Sequence, residues 1–136
     1  MKIFIIVFWL NLLPTDADTD VVRITVYHAV EAQTNSDPSH TAFMFKLDLS
    51  NPYKHRIIAV SRDLLGKYPR GTKVRIKGTS YDGVYTVRDK MGKTKRNRNK
   101  ATKTKQPRIP ITNSIDILIN TDMKIGMWEN ATITKI

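Results

Sequence analysis

Cysteine is absent from this chain of 136 residues, and histidine is scarce. Without cysteine the chain has no disulfide, no thiolate zinc site and no cysteine nucleophile. The three histidines, His28, His40 and His55, share no short ligand spacing, so a histidine-rich metal site is not expected. There is no glycine-rich phosphate loop, and glutamate occurs only at Glu31 and Glu129. Carboxylate chemistry would therefore depend on a small set of aspartates.

The N-terminal segment is typical of a secretion signal. Lys2 precedes an apolar run over residues 3–10, which is too short to span a bilayer comfortably. Pro14 breaks the run, and small residues follow that would allow cleavage after Ala17. The alternative is an ordinary buried strand or helix. We predict a signal over residues 1–17 and one secreted or periplasmic domain over residues 18–136.

The net charge of +11 is concentrated in one segment. Residues 90–108 contain nine basic residues and no acidic one, with few apolar residues, which predicts a mobile basic loop inserted over residues 90–113. The loop is either solvated without a specific partner or in contact with a polyanion through sequence-independent charge pairing. No aromatic residue lies between Tyr85 and Trp128, so specific nucleic-acid binding is not predicted. Anionic envelope polymers are the favoured partner, with candidate contacts at Lys93, Lys95, Arg96, Arg98, Lys100, Lys103 and Lys105.

Apolar residues alternate with polar ones in several short segments, which predicts β-strands. Segment 41–49 is either a strand or an extended loop, and the segment from Asp122 to about Met127 is predicted to be a short helix. A helical turn is predicted over residues 62–65 and a hairpin turn over residues 81–83. Strands this short need closure to cover their edges, which predicts a small β-barrel. The strands are expected over residues 22–28, 56–61, 72–77, 84–89, 115–119 and 129–136.

Two aspartates, Asp89 and Asp116, are the best candidates for chemistry. Asp89 ends a predicted strand and is expected to share its inner or groove face with Tyr85 and Val87. Asp116 is one step out of phase with an isoleucine face, so it must point to the opposite side, which is either solvent or a groove. If the two carboxylates lie close together, repulsion and partial burial raise the pKa of one of them.

Six short segments of the chain form an ordered pattern. They are Ile24-Thr25-Val26-Tyr27, His40-Thr41-Ala42, Ile58-Ala59-Val60-Ser61, Arg70-Gly71-Thr72-Lys73-Val74, Val87-Arg88-Asp89-Lys90-Met91-Gly92 and Ser114-Ile115-Asp116-Ile117. Their order and spacing resemble those of the 3D (three-aspartate) domain, the double-psi β-barrel of membrane-bound lytic transglycosylase A, over roughly residues 22–136. Rare lipoprotein A and the expansins are more distantly similar. The resemblance implies a six-stranded double-psi β-barrel with one or two short helices.

The resemblance also implies an activity on peptidoglycan glycan strands. Asp89 matches the catalytic acid, which protonates the glycosidic oxygen and then takes the proton of the muramic acid C6 hydroxyl. The product is a 1,6-anhydro sugar. Asp116 matches the aspartate that tunes or positions the acid, and Thr41 lies in the groove-lining loop. The resemblance implies no cofactor or metal, and a monomer is expected.

The chain departs from the family pattern at three places. The first family aspartate is replaced by Ser61, with Asp63 as a weak substitute, and the glycines after the second aspartate are reduced to Gly92. The basic insertion also lengthens the connection from Asp89 to Asp116. Activity therefore does not follow from the fold alone. The alternatives are a non-catalytic wall-binding barrel and a cationic polyanion-binding protein.

Three further residues have two interpretations each. His40 either lines the groove and binds a sugar hydroxyl or is a surface loop histidine. Tyr27 and Tyr85 either stack on sugar rings or pack in the barrel. Trp128 is expected to belong to the core, since it follows the predicted short helix.

Overall fold

A computed structural model describes residues 18–30, 37–95 and 107–136 of the protein. The predicted signal segment lies outside these residues, as do residues 96–106 of the basic insertion. Two single 3₁₀ turns cover Pro52–His55 and Arg62–Leu64, and the second confirms the predicted helical turn. The strands are β1 (Thr19–His28), β2 (Ile57–Val60), β3 (Lys73–Lys77), β4 (Gly83–Lys90), β5 (Thr94–Lys95), β6 (Ile109–Pro110), β7 (Ser114–Ile119) and β8 (Met127–Lys135).

Six of these strands form a closed barrel in the order β1-β7-β2-β4-β3-β8. The pairs β1–β7 and β2–β4 are parallel, whereas the other neighbouring strands are antiparallel. Because the barrel is closed, both edges of every barrel strand are paired. Strands of four to ten residues would otherwise leave backbone groups unpaired at the edge of the sheet. The predicted class, a mainly β protein built on a six-stranded double-psi barrel, is confirmed.

The barrel interior is filled by every second residue of the strands. Ile115, Ile117 and Ile119 are 0% exposed, which confirms the predicted core face of β7. Tyr85 and Val87 of β4 are equally buried. The remaining core residues come from the other strands and one loop: Val22, Ile24, Ile58, Val60, Tyr68, Val74, Ile76, Ala131 and Ile133.

A loop covers part of the outer barrel surface. Ile57 and Leu118 occupy outward-facing positions next to core residues, yet both are 0% exposed. They form a second buried cluster with Leu47, and Phe45 packs against it. We call residues 37–49 the covering loop. Residues 41–49 of this loop, predicted to be a strand or an extended loop, form no strand, and one isolated bridge joins His40 to Lys46.

The short helix predicted from Asp122 to Met127 is wrong. A turn begins this segment, in which the Met123 N–H donates to the Asn120 carbonyl over 3.0 Å, and β8 already begins at Met127. A helix of about six residues has too few internal hydrogen bonds to offset its nucleation. The Trp128 ring lies only 2.6 Å from where a side chain would start at Gly126, so the backbone is held against this ring. The predicted hairpin turn is confirmed, since β3 and β4 pair on either side of it.

A two-stranded ribbon of β5 and β6 forms the base of the basic insertion. Thr94 pairs with Pro110 and Lys95 pairs with Ile109. Lys93 and Lys95 are exposed there. The predicted mobility of the loop and its basic candidates Arg96, Arg98, Lys100, Lys103 and Lys105 lie outside the described residues. In the described ranges, no helix has the length and apolar character needed to cross a membrane.

Candidate active site

A β-bulge in β4 decides where Asp89 points. Ile58 pairs with Val87, but the next residue, Ala59, pairs with Asp89, so Arg88 is an extra residue. A bulge adds one residue to a strand and re-aims the side chains beyond it. Since Ala59 follows the core residue Ile58, the residue paired with Ala59 faces outwards. The prediction that Asp89 shares the face of Tyr85 and Val87 is therefore wrong, because simple alternation ends at the bulge.

Both candidate aspartates lie in one row on the outer barrel surface. Ala59 pairs with Asp116 on one side and with Asp89 on the other. Asp116 in turn pairs with Thr25 of β1. Asp116 thus lies opposite the isoleucine core face, as its position in the sequence predicts. The two aspartate backbones are two strand spacings apart, about 9–10 Å. Only the methyl group of Ala59 separates their side chains on this surface.

Asp89 accepts hydrogen bonds from three donors. Its Oδ1 accepts from the backbone N–H of Ala42 over 2.7 Å and from that of Lys90 over 2.9 Å. Its Oδ2 accepts from the Tyr27 hydroxyl over 2.9 Å. Because Ala42 belongs to the covering loop, Asp89 ties this loop to the barrel.

Tyr27 is a site residue whose role the sequence reasoning missed. Burial raises its pKa well above the ordinary value, and the charges of Asp89 and Asp116 raise it further. The hydroxyl therefore stays protonated and remains a donor to Asp89. The signal that could have found it is alternation along β1, which places Tyr27 on the same outward face as Thr25.

Of the two aspartates, Asp116 is the one whose pKa is raised. Burial, followed by the negative charge of Asp89, raises the pKa of Asp116 to about 6. Its Oδ1 accepts a hydrogen bond from the Thr25 hydroxyl. Among the described residues, no lysine, arginine or histidine forms a salt bridge with Asp89 or Asp116. The negative charge of Asp89 therefore acts on Asp116 without a neutralising cation between them, and Asp116 keeps its proton up to about pH 6.

Asp89 opens onto a groove of about 380 Å³ between the covering loop and the end of β4. This volume lies within the range of sites that bind small molecules. His40 and Thr41 line the groove together with Asp89, whereas Asp116 lies behind Asp89 and does not line it. Thr41 is 5% exposed, and its hydroxyl oxygen accepts the Phe45 N–H, so it also stabilises the loop. The groove is lined by Tyr27, Asp37, His40, Thr41, Ala42, Met44, Asp89, Lys90, Met91 and Gly92.

Two other candidates do not line this groove. Tyr85 is 0% exposed inside the barrel, where its hydroxyl donates to the Tyr81 carbonyl, so it packs in the core. Asp63 accepts the Asn113 N–H over 2.9 Å and a hydrogen bond from the Ser61 side chain. Through these contacts, Asp63 joins its own segment to the one that contains Asn113.

Trp128 is partly buried and packs against the edge of the core. Its ring meets the Tyr81 ring edge-on with centroids 6.1 Å apart. It therefore contributes to packing, as the sequence predicts, although its surface is not fully covered.

No protein-family model matches the chain, and no curated protein matches its sequence. In the part of the chain that the structure describes, no three histidine, aspartate or glutamate side chains cluster as metal ligands would. A functional proposal must therefore come from the groove and its carboxylates.

Proposed function

We propose that the protein cleaves the glycan strand of peptidoglycan at this groove, as a lytic transglycosylase-like enzyme. The observation that carries the proposal is a pair of coupled aspartates on one outer surface, with Asp89 at the groove and Asp116 behind it. Glycosidic bond cleavage uses a carboxyl that retains a proton next to an ionised partner. The resemblance to the 3D domain supplies the substrate class.

Asp89 contacts the substrate, since it is the member of the pair that lines the groove. It protonates the glycosidic oxygen as the bond to C1 breaks, and then accepts the proton of the muramic acid C6 hydroxyl. The C6 oxygen bonds to C1, which gives the 1,6-anhydro product without added water. The three donors around Asp89 suit the carboxylate form that the second step needs. Asp89 takes the proton for the first step from solvent in the groove, and the proton of the C6 hydroxyl restores it for the next cleavage. Asp116 lies behind Asp89 and acts on it through its charge.

The proposal extends to the location of the enzyme, its oligomeric state and its contacts outside the groove. It acts as a monomer in a secreted or periplasmic location, after removal of the signal segment. Lys93 and Lys95, at the base of the insertion, contact anionic envelope polymers together with the rest of the basic loop. These contacts are sequence-independent and weaken as salt is added.

Digestion of purified peptidoglycan tests the proposal. Wild-type protein should release 1,6-anhydro muropeptides that mass spectrometry detects, and Asp89→Asn should lower their rate of release by about 10²-fold or more. The Asn side chain keeps an oxygen for the Ala42 N–H, and circular dichroism verifies the fold. Asp122→Asn is the control, because Asp122 is exposed on a turn outside the groove. Full activity in Asp89→Asn would contradict the proposal.

A second candidate is a non-catalytic barrel that binds cell wall or another polyanion. The three donors to Asp89 favour it, because a carboxylate that ties a loop to the barrel has a sufficient structural role without catalysis. Co-sedimentation with insoluble peptidoglycan separates the two candidates. Binding by the wild type with no anhydro product would favour the non-catalytic barrel.

A further inference from the structure

His40 lies on the groove at a position fixed by the covering loop. It lines the groove with Asp89 and is two residues from Ala42, whose N–H binds that carboxylate. The Leu47 N–H donates to the Ser39 carbonyl over 2.8 Å, and His40 forms a bridge with Lys46. These backbone contacts hold His40 at the edge of the groove.

The partners of His40 Nδ1 determine which ring nitrogen carries the hydrogen. Nδ1 lies 3.1 Å from Asp37 Oδ2 and 3.0 Å from Ser39 Oγ. Ser39 donates its only hydroxyl hydrogen to Asp37 Oδ1, so its oxygen turns a lone pair towards Nδ1. The carboxylate of Asp37 has no hydrogen to give. Nδ1 is therefore the donor, and the hydrogen is on Nδ1.

This tautomer leaves an acceptor at the other side of the ring. In a neutral imidazole with its hydrogen on Nδ1, Nε2 has a free lone pair. Within the described ranges, the hydrogen-bond partners of the His40 ring are at Nδ1, and none contacts Nε2. A ligand that donates a hydrogen bond, such as a sugar hydroxyl, matches this nitrogen.

We propose that His40, with its tautomer set by Asp37 and Ser39, accepts at Nε2 a hydrogen bond from a hydroxyl group of a glycan bound in the groove. The identity of the ligand rests on the proposed function. The role of His40 is to bind the sugar and set its register beside Asp89. Removing one neutral hydrogen bond should weaken glycan binding about 3- to 10-fold.

The tautomer is tested by ¹⁵N NMR of the histidine rings, with the His40 signals assigned from their loss in His40→Phe. Neutral wild-type His40 should carry its hydrogen on Nδ1, and Asp37→Ala should reduce the share of this tautomer. A wild-type hydrogen on Nε2 would overturn the inference. This measurement does not depend on whether the protein cleaves glycans.

The binding role is tested with a soluble muramyl oligosaccharide. His40→Phe keeps a ring of similar shape but removes the acceptor, so Kd and KM should rise about 3- to 10-fold while kcat changes less than about twofold. His40→Gln retains an acceptor and should recover part of the affinity. Thermal unfolding verifies that both variants are folded.

The outcomes distinguish this inference from the proposed function. If wild-type protein binds the oligosaccharide through His40 but does not cleave peptidoglycan, the enzyme proposal fails and the role of His40 stands. If wild-type protein cleaves and His40→Phe binds as tightly as wild type, the role of His40 fails alone. If the oligosaccharide does not bind at all, both fail.

Discussion

Two walls of the same barrel differ in what lies outside them. On β3, the residues that alternate with the core positions Val74 and Ile76 are open to solvent, and these are Lys73, Arg75 and Lys77. On β7, the outward-facing Leu118 is 0% exposed and Asp116 is partly buried, because the covering loop lies over this side. The inner faces are alike. The difference shows that a loop on the outside buries one wall of the barrel and not the other, and on the buried wall the charge of Asp89 also raises the pKa of Asp116.

The largest expected effect is the loss of packing under the covering loop. Leu118→Ala should lower the free energy of unfolding by about 3 kcal/mol, as for other large-to-small changes at buried sites. Val84→Ala is the matched change on an open outward position, where the side chain is 42% exposed, and should cost less than about 1 kcal/mol. Urea denaturation measures both. Equal losses would mean that the two walls do not differ in coverage.

The second prediction concerns how Asp116 makes the free energy of unfolding depend on pH. Its pKa is 3.8 in the unfolded chain and about 6 in the folded protein, so between these values the folded protein binds more protons. The free energy of unfolding should therefore fall as the pH rises from about 4 to 6, by up to about 3 kcal/mol. Asp116→Asn removes this fall and should be more stable than wild type at pH 7 to 8. Urea denaturation across this pH range measures the difference.

Asp82 on the open hairpin is the matched control for Asp116. Burial raises the pKa of Asp82, but hydrogen bonds from Thr79 and Gly78 outweigh burial, so the pKa lies below its ordinary value. Asp82→Asn should therefore be less stable than wild type at neutral pH, the opposite sign from Asp116→Asn.

Asp89→Asn should lower the pKa of Asp116 towards 3.8, which ¹³C NMR of the carboxyl group measures. If the pKa of Asp116 stays near 6, burial alone raises it and the aspartates are not coupled.

The smallest expected effect compares two tyrosine hydroxyls. Tyr27 donates to the Asp89 carboxylate, whereas Tyr81 donates to the neutral carbonyl of Lys124. Tyr27→Phe should lower the free energy of unfolding by about 1.5 kcal/mol and Tyr81→Phe by about 0.5–1 kcal/mol, since hydrogen bonds to charged groups are stronger. Denaturation at pH 7 compares them. A loss in Tyr81→Phe that equals or exceeds the loss in Tyr27→Phe would argue against a carboxylate at Asp89.

Local patterns were sufficient where each residue acts through its nearest neighbours. The alternation in β7 predicted both its core face and the outward direction of Asp116. The same rule failed for Asp89, because the bulge at Arg88 depends on pairing with β2, nearly thirty residues earlier in the chain. It also failed for the segment from Asp122 to Met127, where packing of Gly126 against the Trp128 ring overrides the helical pattern.

The sequence by itself determined the strands, the closure of a small barrel and the choice of two aspartates as candidates. Only the tertiary structure decided that both aspartates share one surface, that Tyr27 donates to Asp89, and that the raised pKa belongs to Asp116. The physical reason is the distance along the chain over which each effect acts. Side-chain alternation is a property of adjacent residues, whereas burial and charge coupling depend on segments such as the covering loop and β2, which are distant in sequence and close in space.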